Sequence, residues 1–213
     1  MAPEGDLPPD AAPIGDPVSD EELARRFAAG DTGAFDELLN RHRDTLFRFV
    51  RWSLGATRGE AEDATQDALV EIYRSMSRFE GRSRLRTWMF GIARNVCRQR
   101  RRALDRSWSS TPTRSVESIA SLRDLPDGSV DLDGALERRE IQETVNRAIE
   151  ALTPEHRGVV VLREIEGFSY QEIAEILKIP TGTVRSRLHN ARIALAGRLF
   201  RLDGSRGEDD GMR

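Results

Sequence analysis

The residues best able to do chemistry in this 213-residue chain are its arginines, which are clustered rather than spread. From Arg82 to Arg106 nine arginines face one acid, Asp105, and from Thr181 to Arg201 five face none. Lys178 is the only lysine, so nearly all the positive charge is planar guanidinium, which pairs bidentately with phosphates and guanine edges. The net charge of −3 hides this pattern, because residues 1–22 hold seven acids and no base. Two basic surfaces are therefore expected, both suited to a polyanion. Catalytic constellations are not visible: there is no phosphate loop, nor any grouping of nucleophile, base and oxyanion donors. One cysteine, Cys97, excludes an internal disulfide and a CxxC centre, and three scattered histidines do not make a zinc site, so no metal and no cofactor is expected. Cys97 reads as a small packing residue.

The elements that must position these arginines read as helices throughout. Ser19 with Glu22 opens a first helix ending at Gly30, and Asp31 caps a longer second one with Phe35, Leu38, Leu39, Leu46, Phe49 and Val50 at helical steps to Gly55. Thr57 and Glu60 form a capping-box pattern before a third helix, whose buried stripe is Ala61, Ala64, Ala68, Leu69, Ile72, Tyr73 and Met76. A fourth, over about 83–102, buries Leu85, Trp88, Met89, Ile92 and Val96. Residues 103–132 lose periodicity to Ser, Thr, Asp, Pro and Gly and read as a flexible linker. Beyond it Ile141, Val145, Ala148, Ile149 and Leu152 resume the pattern. Thr153 then caps a helix with Pro154 at its first position, carrying Val159, Val160, Leu162 and Ile165 to Gly167. The expectation is an all-α protein of two small helical domains with separate cores, 19–102 and 133–202, between disordered ends at 1–18 and 203–213. The longest aliphatic run, Val159 to Leu162, is far short of the roughly 20 apolar residues of a membrane span, and no signal pattern opens the chain, so a cytoplasmic location is expected.

After Gly167 comes FSYQEIAEILKIPTGTVRSRLHNARIAL. Ser169 and Glu172 make a second capping box, Ile173, Ala174 and Leu177 face inward, Lys178 to Thr181 turn, and Val184, Leu188 and Ala191 pin the next helix. That is the layout of a helix-turn-helix, whose second helix enters a major groove with its N-terminal residues near base edges. Thr183, Arg185, Ser186, Arg187, His189, Asn190 and Arg192 are the contact candidates, and free N–H groups at Gly182 and Thr183 could hold a phosphate.

The segment LTPEHRGVVVLREIEGFSYQEIAEILKIPTGTVRSRLHNAR resembles region four of the extracytoplasmic-function sigma factors of the sigma-70 family, and AEDATQDALVEIYRSMSRFEGRSRLRTWMFGIARN resembles their region two. The resemblance implies a subunit that binds core RNA polymerase and directs promoter-specific initiation. Region four would read a minus-thirty-five element in duplex DNA, and region two would read and open a minus-ten element as non-template single strand. It implies that the acidic side of the third helix, with Glu62, Asp63, Gln66 and Asp67, docks on polymerase. It also implies that the minus-ten element meets Phe79, Arg82, Ser83, Arg84, Arg86, Asn95 and Arg98, while Trp88 reads as core packing. Two positions depart from the family pattern: Gln99 stands where many relatives have Asp, and Asn190 where many have Arg. An anti-sigma factor is a further implied partner; the acidic tail reads as an inert disordered end, with shielding of the Arg82–Arg102 surface as the alternative. The competing reading is a stand-alone helix-turn-helix regulator with a sensing or dimerising N-terminal domain, which would bind duplex DNA without polymerase.

Overall fold

Eight helices account for the regular structure of the computed structural model, which describes the backbone of residues 18–108 and 132–204 and the side-chain surroundings of 18–103 and 141–200. The acidic tail, most of the expected linker and residues 205–213 lie outside the described residues. The helices are α1 (Asp20–Ala28), α2 (Thr32–Leu54), α3 (Arg58–Ser75), α4 (Leu85–Trp108), α5 (Leu132–Glu150), α6 (Pro154–Val160), α7 (Tyr170–Leu177) and α8 (Thr181–Gly204). A 3₁₀ turn, Met76–Arg78, follows α3, and a π-helical turn, Val161–Ile165, continues α6. No strand occurs among the described residues, in keeping with the all-α expectation.

Local chemistry sets most of the helix ends. The Thr57 and Ser169 hydroxyls accept from the N–H groups of Glu60 and Glu172, whose carboxylates reach back to the capping residues, so both capping boxes close. Ser19 caps α1 in one direction only, since its hydroxyl accepts from Glu22 while the Glu22 carboxylate turns to Arg25. Asp31 precedes α2 but makes no capping bond; Arg26 takes its carboxylate at 2.9 and 2.7 Å instead. Gly55 ends α2 in the left-handed conformation, φ 61°, which costs glycine nothing. The fourth helix runs to Trp108, six residues past its expected end, because Ala103-Leu104 continues a run of good helix formers and no Gly or Pro intervenes before Pro112.

In the N-terminal unit, Ala61, Ala64 and Ala68 form a column of small buried residues that lets α3 approach its neighbours closely, around Leu38, Leu46, Phe49, Ile72, Leu85 and Met89. Each such large side chain stabilises the fold by about 1.5–3 kcal/mol. Tyr73 departs from the expected stripe: it is 48% exposed and packs edge-on against Phe27 and Phe35. The N-terminal segment is tied down by charge, with Asp20 bonded to His42 at 2.6 Å and to Arg41 at 3.2 Å.

The C-terminal unit is built on α6. Val159, Val160, Val161 and Leu162 are all buried, which a helix tolerates only when neighbours surround it. Here α8 covers one side and α2 of the other unit another. At the end of this element the Glu166 N–H donates to the Val161 carbonyl, five residues back, and Gly167, φ 73°, turns the chain into α7. Two outer positions expected in the core, Ile141 and Ile165, are exposed instead.

The two helical units do not keep separate cores. Phe90 of α4 packs on Phe49 of its own unit, ring centroids 5.2 Å apart, and edge-on against Phe168 of the other at 4.8 Å, so the buried side chains form one continuous cluster. Around that contact α4 lies against α7, and α2 against α6.

Candidate nucleic-acid and partner interfaces

The turn between α7 and α8 fixes the direction of the second helix. Lys178 adopts φ 52°, ψ 50°, its N–H donates to the Glu175 carbonyl, and the Ile179 N–H donates to that of Ala174, the two bonds of a Schellman motif. Val184, Leu188 and Ala191 are buried beneath α8, which turns Arg185, Ser186, His189 and Asn190 outward as one exposed face. Thr183 is half-buried at its edge. Arg187 and Arg192 stand differently, because each is held by an acid of the same unit: Arg187 by Glu155 at 2.9 Å and Arg192 by Glu164 at 2.6 Å. Glu164 holds the Arg192 guanidinium above its ordinary pKa through hydrogen bonding first and charge second. The expected pair of free N–H groups at the start of α8 is reduced, since that of Thr183 already donates to the Pro180 carbonyl at 2.9 Å.

The basic segment before α4 turns at Gly81, φ 71°. Phe79, half-buried, lies against Trp88 with ring centroids 5.3 Å apart. Arg82 and Arg84 are the most exposed cations of the segment and Ser83 is half-buried; Arg82 pairs with Glu80 at 2.6 Å, and Arg84 reaches Glu172 of α7 at 3.7 Å. Within α4, Trp88, Asn95 and Arg98 fall on one side, separated by seven and three residues. Asn95 is half-buried and Arg98 exposed. Arg86 is nine residues before Asn95 and thus half a turn away at 100° per residue. It points to the other unit: its guanidinium sits 4.2 Å from the Phe168 ring centre and donates to the Glu166 carbonyl at 2.8 Å and carboxylate at 2.9 Å. The structure therefore groups Phe79, Trp88, Asn95 and Arg98 and separates Arg86 from them.

On α3, Glu62, Asp63, Gln66 and Asp67 are all exposed and share a face. Glu62 pairs with Arg58 at 3.0 Å, and Asp67 takes a bidentate approach from Arg100 of α4, which ties this acidic face to the basic helix beside it.

Comparison with known proteins identifies the family. The chain matches the Sigma-70 region 2 family over residues 38–107 and the Sigma-70, region 4 family over residues 142–195. It is 34% identical over 182 residues to the RNA polymerase sigma-H factor of Pseudomonas aeruginosa, covering 83% of this chain and 91% of that protein. The ECF RNA polymerase sigma-E factor of Escherichia coli K12 is 32% identical over 183 residues, covering 84% and 93%. The chain belongs to the extracytoplasmic-function sigma factors of the sigma-70 family. Among solved structures it is similar to the sigma factor RpoE in complex with the anti-sigma factor NepR from Bartonella quintana, with a TM-score of 0.64 and 28% identity over 78% of this chain and 96% of that one. It is also similar to CnrH in complex with the cytosolic domain of CnrY, with a TM-score of 0.59 and 25% identity over 85% and 97%. Its activity is that of a sigma factor, promoter-specific transcription initiation.

In this sigma factor the region-two match runs from within α2 to α4 and the region-four match from within α5 to α8, and the contacts between the two helical units involve residues that composition did not single out. Glu166 of region four, with only 1% of its side chain exposed, is gripped by Arg86 and by Arg48, the latter at 3.3 Å. Glu172 accepts from the Thr87 hydroxyl at 3.3 Å. Arg157 crosses from α6 to the Trp52 carbonyl at the end of α2, at 3.4 Å, while also holding the carbonyls of Glu150 and Leu152. Phe90 was the one available signal: it is a large apolar residue of α4 lying off the stripe through Leu85, Met89 and Val96, and a second apolar face needs a second neighbour. Cys97 is buried and its thiol is pushed up to about 12, first by burial, which suits a packing residue. Among the described residues no group of His, Cys, Asp and Glu could hold a metal, and no helix is long and apolar enough to cross a membrane.

Proposed function

We propose that this sigma factor reads an upstream promoter element with the exposed α8 face of Arg185, Ser186, His189 and Asn190, flanked by Thr183. Arg187 and Arg192 serve chiefly as phosphate contacts. They are held at the edges of that face by acids that a phosphate can replace, and guanidinium–phosphate contacts position a reader without specifying sequence. The minus-ten element meets the surface made by Phe79, Arg82, Ser83, Arg84, Asn95 and Arg98, where Trp88 forms the wall behind Phe79 and a single strand finds arginines beside an aromatic platform. Arg86, on the opposite side of α4 from that surface, meets promoter phosphates only once Glu166 releases it. Glu62, Asp63, Gln66 and Asp67 dock on core RNA polymerase, and the domain limits follow the two regions, 19–102 and 133–202. The factor works in the cytoplasm, without catalysis of its own, and is restrained by an anti-sigma factor, as the two similar structures are complexes of that kind.

The observation that carries this reading is the presence in one chain, in family order, of an exposed polar reading face on a helix-turn-helix and a basic, aromatic-lined segment on a separate helix. A stand-alone regulator would need only the first. The test is run-off transcription with core polymerase on a library of genomic fragments. The factor is expected to start discrete transcripts from fragments sharing two spaced elements, and replacing Asp63 and Gln66 by alanine is expected to weaken polymerase capture. Tight, sequence-specific duplex binding by the free protein, with no transcripts and no capture of polymerase, would overturn the reading.

A further inference from the structure

The contact between regions two and four has the chemistry of an occupied binding site. At its centre the Glu166 carboxylate, almost fully buried, is shared by Arg48 and Arg86. Beside it the Arg86 guanidinium lies over the Phe168 ring, and Phe168 sits against Phe90. A few residues along, Glu172 meets Arg84 and Thr87. Two carboxylates of region four thus lie on cations and a hydroxyl at the start of α4, the segment that precedes the Asn95 face. Carboxylates and phosphates use the same guanidinium geometry.

We propose that Glu166, Glu172 and Phe168 form an autoinhibitory latch in which region four holds, with its own carboxylates, the arginines of region two that bind promoter phosphates. This inference rests on the promoter-binding role proposed above for Arg84 and Arg86. Geometry makes the latch incompatible with full promoter engagement. Packed helices lie roughly 8–10 Å apart, and α8 starts four residues after the end of α7, which packs on α4. Promoter elements one and a half to two helical turns apart are separated by roughly 50–70 Å, at ~34 Å per turn. The regions must part to reach both elements, and the chain between Trp108 and Leu132 is long enough, at ~3.5 Å per residue, to let them separate by up to about 80 Å. The latch is also reversible by design, since its core is a charged cluster rather than a wholly apolar seam. A polyanion offers Arg48, Arg84 and Arg86 an exchange of partners, and taking Glu166 away from the half-buried Arg48 and Arg86 is far less costly when a phosphate replaces it.

The test uses the full chain labelled for energy transfer at two exposed positions, Ser77→Cys and Gln171→Cys, with Cys97 left in place because it is buried. Binding of a fluorescent single-stranded oligonucleotide is followed in parallel by anisotropy. High transfer efficiency is expected in the free protein, falling on addition of oligonucleotide. The double variant Glu166→Gln, Glu172→Gln is expected to start at low efficiency and to bind the oligonucleotide about tenfold tighter or more, as expected when a closed population is removed. The charge-matched control Glu143→Gln, Glu175→Gln, at exposed sites outside the Glu166 and Glu172 cluster, is expected to change neither. Circular dichroism checks that the double variant is folded; if it is not, the response of the parent protein to oligonucleotide still decides. Unchanged efficiency on oligonucleotide binding, or an equal affinity gain in the control, overturns the latch while leaving run-off transcription by the parent intact. Loss of transcription in the parent would instead overturn the functional reading.

Discussion

Among the described residues, Lys178 is the one non-glycine residue with a positive φ, and it stands at the turn that aims α8, the second helix of the helix-turn-helix. At φ 52° and ψ 50° its Cβ crowds the following carbonyl, which costs an L-residue roughly 1–2 kcal/mol relative to a right-handed conformation. Glycine has no such penalty but loses more freedom on folding, by roughly 0.5–1 kcal/mol relative to alanine. Replacing Lys178 with glycine and, separately, with alanine removes the side chain in both cases and leaves only this difference. The glycine variant is expected to be more stable than the alanine variant by about 0.5–1 kcal/mol, the reverse of the order inside a helix. For a protein of this length that is a gain of about 2–4 °C in Tm per kcal/mol, readable by calorimetry or urea unfolding followed through helix content. Because the Schellman bonds of Lys178 and Ile179 come from the backbone, the direction of α8 and the promoter affinity should match between the two variants. An alanine variant as stable as glycine, or more so, would refute the left-handed turn and with it the placement of α8.

Three further expectations follow from the same structure. Arg185→Ala should weaken specific promoter binding by roughly 1–3 kcal/mol and relax preference at one upstream position, measured by comparing binding to the promoter and to scrambled duplex; equal loss on both would assign Arg185 to phosphate. Burial pushes the Glu172 carboxyl up, but the Ser169 N–H and hydroxyl, Arg84 and Thr87 together outweigh it and hold the group below its ordinary range. A carboxyl lowered on folding contributes stability that is present above its unfolded pKa, about 4.3, and is lost as pH falls through the folded value. Glu172→Gln should accordingly flatten the loss of thermal stability between about pH 5 and pH 3, and an unchanged acid profile would contradict these contacts. Cys97, with its thiol raised to about 12, should resist a thiol reagent at pH 8 in the native protein and react at once in denaturant, and fast native labelling would contradict its burial.

What could be read in the residues, and what could not, divides by range. Helix ends were legible because capping chemistry is local: Thr57 with Glu60 and Ser169 with Glu172 declare their boxes within four residues, and Gly55 and Gly167 supply the turns. The helix-turn-helix was legible because Ile173, Val184 and Leu188 repeat at helical spacing on both sides of Lys178. Contact between the regions was not. It is carried by Arg48, Arg86 and Glu166, charged residues that in any single helix look like a solvated face, and their partners lie 80 or more positions away. The end of α4 lies six residues past the expected 102, since an arginine-rich run followed by Ala103-Leu104 favours helix despite its polarity. The family resemblance places Arg86 with Asn95, whereas nine residues of helix put the two on opposite sides of α4.

The acids that hold Arg187 and Arg192 change how this factor's grip on DNA should respond to ions. A guanidinium waiting in solvent contributes to binding chiefly by letting phosphates shed condensed counterions, so affinity falls by about 0.9 log unit per contact for each tenfold rise in salt. Glu155 and Glu164 act as resident counterions that must be set aside first, and once displaced they gather cations of their own. With Arg187 and Arg192 meeting phosphates as proposed, the upstream reader is expected to be partly buffered against ionic strength, and its hold on a promoter to depend more on the base-facing groups of α8 than on its arginine content.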